Sequence, residues 1–335
     1  MLNLNRVCVP LSLDCNIHCK YCYRDKERID RVPDFTEDMK NYLKNLNNTK
    51  CEAVIASGGE PLMHWDKVQE LFSYVPKNVH KKIMSNCTLL TQEMVDYINQ
   101  NEVELSVSHD GPKTKFLRSV DVLENEKICS LIRQVKIMRV VCVTTKHNPD
   151  VWENFFDTAT KLGRVDFEYL ATPIFDIPSH HELIEGFDYD KWYQTWMEFS
   201  VSKYRYLLPW YRGKTLVSHK KKVRLPSAFN VLPNGIVCGM AEICSNYGTI
   251  FDDYDECYHN LELSGWFDYC KNKSCKFVNV CTYVPVCNSD HMHKWRSMIL
   301  TSKEHPEKVK ILRQYVSEHI SDIEKKYGFK GVTSC

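Results

Sequence analysis

The stretch Asp14–Asp25, DCNIHCKYCYRD, sets Cys15, Cys19 and Cys22 in a C-x3-C-x2-C spacing. Iron–sulfur clusters are held by cysteine thiolates, so these three supply ligands for three irons of a cubane and leave the fourth iron without a protein ligand. An open coordination site on a reducible cluster is a place for chemistry, which a closed four-cysteine site does not offer. Structural zinc is a competing reading, since it takes four closed ligands. No fourth cysteine follows nearby, and His18 lies inside the loop at awkward spacing. A disulfide between two of the three is the other plain alternative. Tyr21 stands just before the last cysteine and Tyr23 just after it.

The chain has 335 residues, with Lys+Arg 44 against Asp+Glu 43 and a formal charge of +1. That length suits one large α/β domain with a smaller one appended. A balanced charge gives no field to draw in nucleic acid or an acidic membrane surface, and the longest basic run, His219–Arg224, reads as a solvated segment. No apolar stretch reaches the ~18 residues of a spanning helix, and MLNLNRVCVP lacks the apolar core of a signal peptide. A cytoplasmic protein that binds neither nucleic acid nor membrane is expected. In a reducing compartment, 16 cysteines point to metal binding or catalysis rather than a disulfide framework. Cys8, Cys51, Cys87, Cys129 and Cys142 lie in or beside apolar segments, where a thiol is a small buried hydrophobe.

To about residue 175 the pattern alternates strand and helix. Strands are expected at Val7–Leu13, Ala53–Ser57, Lys82–Ser85, Glu104–Val107, Met138–Thr144 and Val165–Leu170. Helices are expected at Glu37–Asn47, Trp65–Tyr74, Gln92–Asn99, Val120–Leu131 and Val151–Leu162, with Thr36, His64, Thr91, Ser119 and Asp150 as cap or turn signals. Six such units predict an α/β fold, a partial (β/α)6 TIM-type barrel of parallel strands, with ligand chemistry at the carboxyl ends of the strands. Residues 1–175 form that barrel, 176–225 a helical bridging segment, 226–290 a small C-terminal cysteine-rich Fe–S domain and 291–335 a helical tail. Asp190–Tyr206 is rich in aromatics (Trp192, Tyr193, Trp196, Phe199, Tyr204, Tyr206) that are read as packing against the barrel. Pro306–Tyr327 reads as an amphipathic helix. A segment as poor in core as 226–290 needs a metal to stay folded.

Four elements follow successive strands. After the cysteine loop comes Ala56–Pro61, ASGGEP, whose Gly58 and Gly59 let backbone approach a ligand and whose Glu60 can accept from an ammonium. The third strand ends in Met84–Leu90, MSNCTLL, and the fourth in Leu105–Gly111, LSVSHDG, with Arg118 beyond it. The ordered set resembles the radical S-adenosylmethionine (SAM) enzymes over residues 5–175. The resemblance implies a [4Fe-4S] cluster on Cys15, Cys19 and Cys22 whose open iron chelates SAM. It implies a cofactor site from Tyr21, Gly58, Gly59, Glu60, Pro61, Ser85, Asn86, Ser108, Asp110 and Arg118, with Ser108 and Asp110 on ribose hydroxyls or the methionine carboxylate. Ser85 and Cys87 depart from the family's T-N-G-x-L-L turn. The implied chemistry is reductive cleavage of SAM to a 5′-deoxyadenosyl radical, which removes hydrogen from a substrate, while protein positions that substrate and excludes water.

Val231–Cys244, VLPNGIVCGMAEIC, opens a second cysteine field that continues through Cys257, Cys270, Cys275, Cys281 and Cys287. Its P-N-G-x-V-x-C run resembles the SPASM/twitch extension of radical SAM enzymes. That implies one or two auxiliary [4Fe-4S] clusters: Cys238, Cys244, Cys257 and Cys287 on the first, and Cys270, Cys275 and Cys281 on a second, with Cys335 the candidate to close it. The central spacing here is C-x4-C-x5-C-x5-C against the family's C-x2-C-x5-C-x3-C, and a zinc ribbon at Cys270–Cys287 is the alternative.

SPASM/twitch proteins mostly modify peptides, so the resemblance implies maturation of a ribosomally synthesised peptide or protein by cross-linking, epimerisation or oxidation. A radical dehydrogenase of a small alcohol or amino compound is the alternative, and a non-enzymatic Fe–S or zinc scaffold the alternative of another class. Sulfatase-maturing members carry aspartate directly after a cluster cysteine, where Tyr258 follows Cys257 here; Tyr258 is a candidate radical or proton relay. A peptide or small-molecule substrate, a reducing partner such as flavodoxin or ferredoxin and a separate leader-peptide-binding protein are the expected partners.

Overall fold

The computed structural model describes residues 2–22, 32–174, 181–206, 229–239, 246–263 and 306–331. The chain packs as two compact units, described separately below. The first takes residues 1–18, 22–106 and the described residues between 229 and 263; the second takes 19–21, the described residues of 107–206, and 306–331.

In the first unit, β1 (Arg6–Ser12), β2 (Ala53–Gly58) and β3 (His80–Ser85) run parallel, Val7 opposite Val54 and Val54 opposite Lys81. Connecting helices force that direction: α1 (Glu37–Lys44) joins β1 to β2 and α2 (Trp65–Tyr74) joins β2 to β3. Thr36 accepts from Met39 N and starts α1. Val7, Val9, Val54, Ala56 and Ile83 are buried, with Met39, Leu43, Val68 and Leu71 of the helices, so apolar residues at strand and helix periods fill one core. α3 (Gln92–Gln100), capped by Thr91, leads to β4 (Glu104–Ser108), whose last two residues belong to the second unit.

Past β1 the sheet continues through β7 (Phe229–Val231), which runs parallel to it with Cys8 opposite Asn230. β8 (Ile236–Gly239) turns back on β7 across Pro233-Asn234-Gly235, with Gly235 at φ 83°, and β9 (Gly248–Thr249) turns back on β8. α9 (Tyr254–Leu263) follows.

In the second unit, β5 (Met138–Thr144) and β6 (Glu168–Pro173) pair in parallel over their whole length, Arg139 opposite Glu168 and Thr144 opposite Pro173. Burial alternates along β5: Met138, Val140, Cys142 and Thr144 are buried, Arg139, Val141 and Val143 half-buried. α6 (Val151–Leu162) opens on Asp150, which accepts from Trp152 N and Glu153 N, and stops at Gly163 with φ 65°. Its Phe155 meets Tyr169 ring to ring at 5.4 Å. α8 (Tyr189–Val201), preceded by the single turn α7 (His181–Ile184), sets Phe199 at 5.2 Å from Trp152. Trp192, Phe199 and Tyr204 are buried, as expected for packing aromatics. α10 (Pro306–Lys326) closes on α6 through Tyr327, whose hydroxyl donates to Asp150 at 2.8 Å, and through Phe329 stacked on Phe156.

The α/β class and the parallel sheet are as expected, with local corrections. Strand three begins at His80 and strand six lies at Glu168–Pro173, three residues later than expected at each end. The first helix ends at Lys44. His64 does not cap α2; Glu60 caps a 3-10 turn, Pro61–His64, by accepting from Leu62 N. The helix expected at Val120–Leu131 is α5 (Glu126–Arg133), capped by Asn125. Ser119 instead ends an unexpected helix, α4 (Thr114–Arg118), in left-handed conformation at φ 71°. Among the described residues no helix is long and apolar enough to cross a membrane.

Candidate functional site

In the first unit the loop after β1 is pressed against the turn after β2. Gly59 N donates to Ser12 O and Glu60 N to Asp14 O, each at 2.7 Å. A Cβ on Gly58, at φ 127°, would stand 2.1 Å from Ser12 O, and one on Gly59 would stand 1.9 Å from Asp14 O. Only glycine lets these backbones meet. The close approach foreseen for a ligand is therefore made to the loop that carries Cys15.

Glu60 is 1% exposed. Its Oε1 accepts from Leu62 N (3.0 Å) and Ser85 Oγ (2.6 Å), and its Oε2 from Asn86 N (2.7 Å). Burial raises its pKa, and these donors oppose the rise. The carboxylate ties the β2 turn to the β3 turn. Asn86 Nδ2 then donates to Asn16 Oδ1 at 3.0 Å and to Cys15 Sγ at 3.8 Å. Cys87, buried, holds φ 61° in the place where the family pattern has glycine.

In the second unit Asp110, fully buried, is a hub. Its Oδ1 accepts from Val143 N (2.8 Å) and Arg118 Nη2 (3.3 Å); its Oδ2 accepts from Arg118 Nε (2.8 Å) and the Tyr21 hydroxyl. Asp110 thus engages protein donors, where ribose hydroxyls or the methionine carboxylate were anticipated. The Arg118 guanidinium lies 5.2 Å from the Tyr21 ring centroid, and Nη1 is 3.9 Å from Cys19 Sγ. Burial pulls the Arg118 pKa down, but Asp110 beside it outweighs burial and the net direction is up. Burial chiefly pushes the Tyr21 phenol well above its ordinary value, so it stays protonated and donates. Ser108, half-buried, ends β4.

Behind this hub, His109 is buried with Nδ1 2.8 Å from Thr158 Oγ1 and Nε2 3.2 Å from Asp121 Oδ1, while Lys161 Nζ lies 2.9 Å from Asp121 Oδ2. Gly111, at φ 65°, lies so close to Asn154 that an added Cβ would stand 2.4 Å from its Oδ1. Sequence reasoning missed α4, Asn16, Thr88 and the His109–Asp121 pair. Pro112 directly after Gly111 was the available signal for a helical turn leading to Arg118.

Cys15 and Cys19 are half-buried and Cys22 exposed. Among the described residues no three Cys, His, Asp or Glu side chains form a single-ion cage; a cubane instead places each ligand sulfur on a separate iron. The donor chemistry fits such a cluster, because N–H groups of Asn86 and Arg118 face the Cys15 and Cys19 sulfurs, as outer hydrogen-bond donors to cluster ligands do. Of the second cysteine field, Cys238 on β8 is buried beside Leu13, Val32 and Leu232. Cys257 on α9 is buried too, and burial, then Asp252, Glu256 and Asp253, push its thiol up to about 12. Tyr258 is in the same helix. Cys244, Cys270, Cys275, Cys281, Cys287, Cys335 and Tyr23 lie outside the described residues.

The radical SAM superfamily model matches residues 9–168. The cysteine-type anaerobic sulfatase-maturating enzyme of Clostridium perfringens is 22% identical over 268 residues, 72% of this chain and 68% of that protein. The radical SAM cyclopropyl synthase TigE of Paramaledivibacter caminithermalis is 24% identical over 52% of this chain, which spans only 39% of TigE. Among solved structures, anSMEcpe with bound AdoMet superposes with a TM-score of 0.63 at 16% identity, over 94% of this chain and 100% of that one. Streptococcus suis SuiB bound to precursor peptide SuiA superposes with 0.59 at 14% identity, over 84% and 71%. These likenesses show a shared fold. The match to the radical SAM superfamily model runs across residues 9–168, with Cys15, Cys19 and Cys22 inside it.

Proposed function

We propose that this chain is a radical SAM peptide maturase, which cleaves S-adenosylmethionine reductively and removes a hydrogen from a ribosomally made peptide or protein. The observation that carries the radical chemistry is the support given to the loop cysteines, Asn86 at Cys15 and Arg118 at Cys19, within the matched domain. The peptide assignment draws on the similar proteins: sulfatase-maturating enzymes, anSMEcpe with bound AdoMet and a Cp18Cys peptide, and SuiB with its precursor peptide.

Cys15, Cys19 and Cys22 would hold the [4Fe-4S] cluster, and with bound SAM that cluster supplies one-electron cleavage of a carbon–sulfur bond and hydrogen abstraction. The chain's own work is orientation. Glu60 locks Ser85 and Asn86, so the β2 and β3 turns present one fixed surface. Gly58 and Gly59 seat the loop against that surface. In the second unit, Asp110 holds Tyr21 and Arg118, and Arg118 reaches Cys19. Ser108, half-buried at the end of β4, would hold the cofactor's ribose, as the family resemblance implies. A flavodoxin or ferredoxin would supply the electron, and a separate protein would present a leader peptide.

Anaerobically reconstituted protein with dithionite and SAM is expected to release 5′-deoxyadenosine, and the Cys15→Ala, Cys19→Ala, Cys22→Ala variant none. Equal release from both would remove the assignment. Adding short peptides encoded beside the gene separates the substrate classes: a peptide mass change supports maturation, whereas turnover only of a small alcohol or amine overturns it.

A further inference from the structure

Two N–H donors are committed to loop sulfurs by their own hydrogen-bond partners. In the first unit, Asn86 Nδ2 donates to Asn16 Oδ1 (3.0 Å), Asn16 Nδ2 to Thr88 Oγ1 (2.7 Å) and Thr88 Oγ1 to Asn86 Oδ1 (2.6 Å). The ring alone could run in either sense, but Thr88 N can only donate, so the Asn86 atom it meets at 2.9 Å is the amide oxygen and the sense is set. It fixes which way both asparagines face. The second hydrogen of Asn86 Nδ2 therefore points to Cys15 Sγ, 3.8 Å away.

In the second unit the Arg118 fork is spent on the chain itself. Nε and Nη2 donate to the two oxygens of Asp110, which Val143 N anchors from β5. Nη1 is left directed at Cys19 Sγ at 3.9 Å. Arg118 is 7% exposed and Asp110 is fully buried, so solvent screens this charge weakly. A side chain expected in the cofactor site holds a carboxylate of its own protein.

The geometry points to Asn86 and Arg118 as positioning residues that set the reduction potential of the cluster on Cys15, Cys19 and Cys22. Hydrogen bonds and positive charge at cluster sulfurs stabilise the added negative charge of the reduced state, which raises the potential. Both donors act on the cysteines and make the cluster easier to reduce. This inference rests on the cluster assignment under Proposed function.

The test is an EPR-monitored potentiometric titration of the full-length reconstituted protein. The relevant signal is the one missing from the Cys15→Ala, Cys19→Ala, Cys22→Ala variant. Asn86→Leu and Arg118→Gln are each expected to shift the midpoint to more negative potential, and Arg118→Lys by less than Arg118→Gln. Iron content and visible absorption show that each variant is loaded. If Arg118→Gln does not fold, Asn86→Leu decides alone. Midpoints equal to wild type in loaded Asn86→Leu overturn the inference, as does an unmoved midpoint in Arg118→Gln with weakened SAM binding, which would make Arg118 a ligand clamp. If the wild-type loop binds no cluster, the underlying assignment fails with it, and iron analysis of the wild type tells the two failures apart.

Discussion

At the scale of single residues, the first unit is decided by two glycines and a cysteine. Gly59 has no positive φ to protect, so an added methyl group tests space alone, against Asp14 O at 1.9 Å. Gly59→Ala is expected to cost about 1–3 kcal/mol, the usual range for overpacking, and to lower the iron bound by Cys15 and its neighbours because the loop must move. Chemical denaturation and iron analysis check both. Cys87 poses the reverse case, a side chain in left-handed backbone at φ 61°. Cys87→Gly removes strain of the order of 1 kcal/mol and a small buried thiol worth a similar amount, so it should lie within about 1 kcal/mol of wild type. Cys87→Val should be clearly worse, since β-branched residues resist positive φ. Equal stability for the two would show that backbone conformation does not matter at this turn.

At the scale of elements, the carboxyl end of β4 is held from behind by a charged group that spans two helices. Asp121 accepts from Leu123 N at 3.0 Å, lies 3.2 Å from His109 Nε2 and pairs with Lys161 of α6 at 2.9 Å. Burial raises its pKa, but His109 and Lys161 outweigh burial and hold it below the ordinary 3.8. A depressed carboxylate contributes stability that is present above its unfolded value and lost as pH falls through its folded value. Asp121→Asn should therefore destabilise by about 1–3 kcal/mol at pH 7, with the gap to wild type closing as the pH drops below 3.8. Denaturation curves at several pH values measure this, and a gap that does not narrow in acid would rule out the charge as its source. This region also shows what was legible from sequence. β5 was readable because it is an apolar run between capped helices, and Thr36, Thr91 and Asp150 each make the cap their residue type predicts. α4 was legible only through Pro112 as a turn signal, because five residues carry no hydrophobic period and its end depends on Ser119 adopting φ 71°. The site residues were legible as a set, since each follows a strand. Their partners were not: nothing in the spacing of Asp110 and Arg118 says that one will neutralise the other, or that Glu60 will be closed off by Ser85 and Asn86. Such contacts depend on which turns fold face to face.

At the scale of the molecule, cysteine use separates by environment, and that makes iron stoichiometry a sharp measurement. Cys51, Cys87, Cys129 and Cys142 are buried as small hydrophobic side chains of the core, and burial drives the Cys51 thiol up to about 11. The loop thiols lie nearer solvent. Cys238 and Cys257 are buried and yet sit on β8 and α9, elements that continue the sheet past β1 into the second cysteine field. Gly248 lies against Cys257 so closely that a Cβ there would stand 2.7 Å from its sulfur. A thiol raised to about 12 must lose its proton before it can bind metal, so loading at Cys257 should be pH-dependent. If an auxiliary cluster uses this residue, the Cys15→Ala, Cys19→Ala, Cys22→Ala variant keeps about four irons per chain for one cubane or about eight for two. Iron uptake by that variant should then rise from pH 7 to pH 9 and fall in the further variant Cys257→Ser. Zinc in place of iron, or iron near zero at every pH, would leave the loop cluster as the chain's single redox centre and turn the second cysteine field into a structural device.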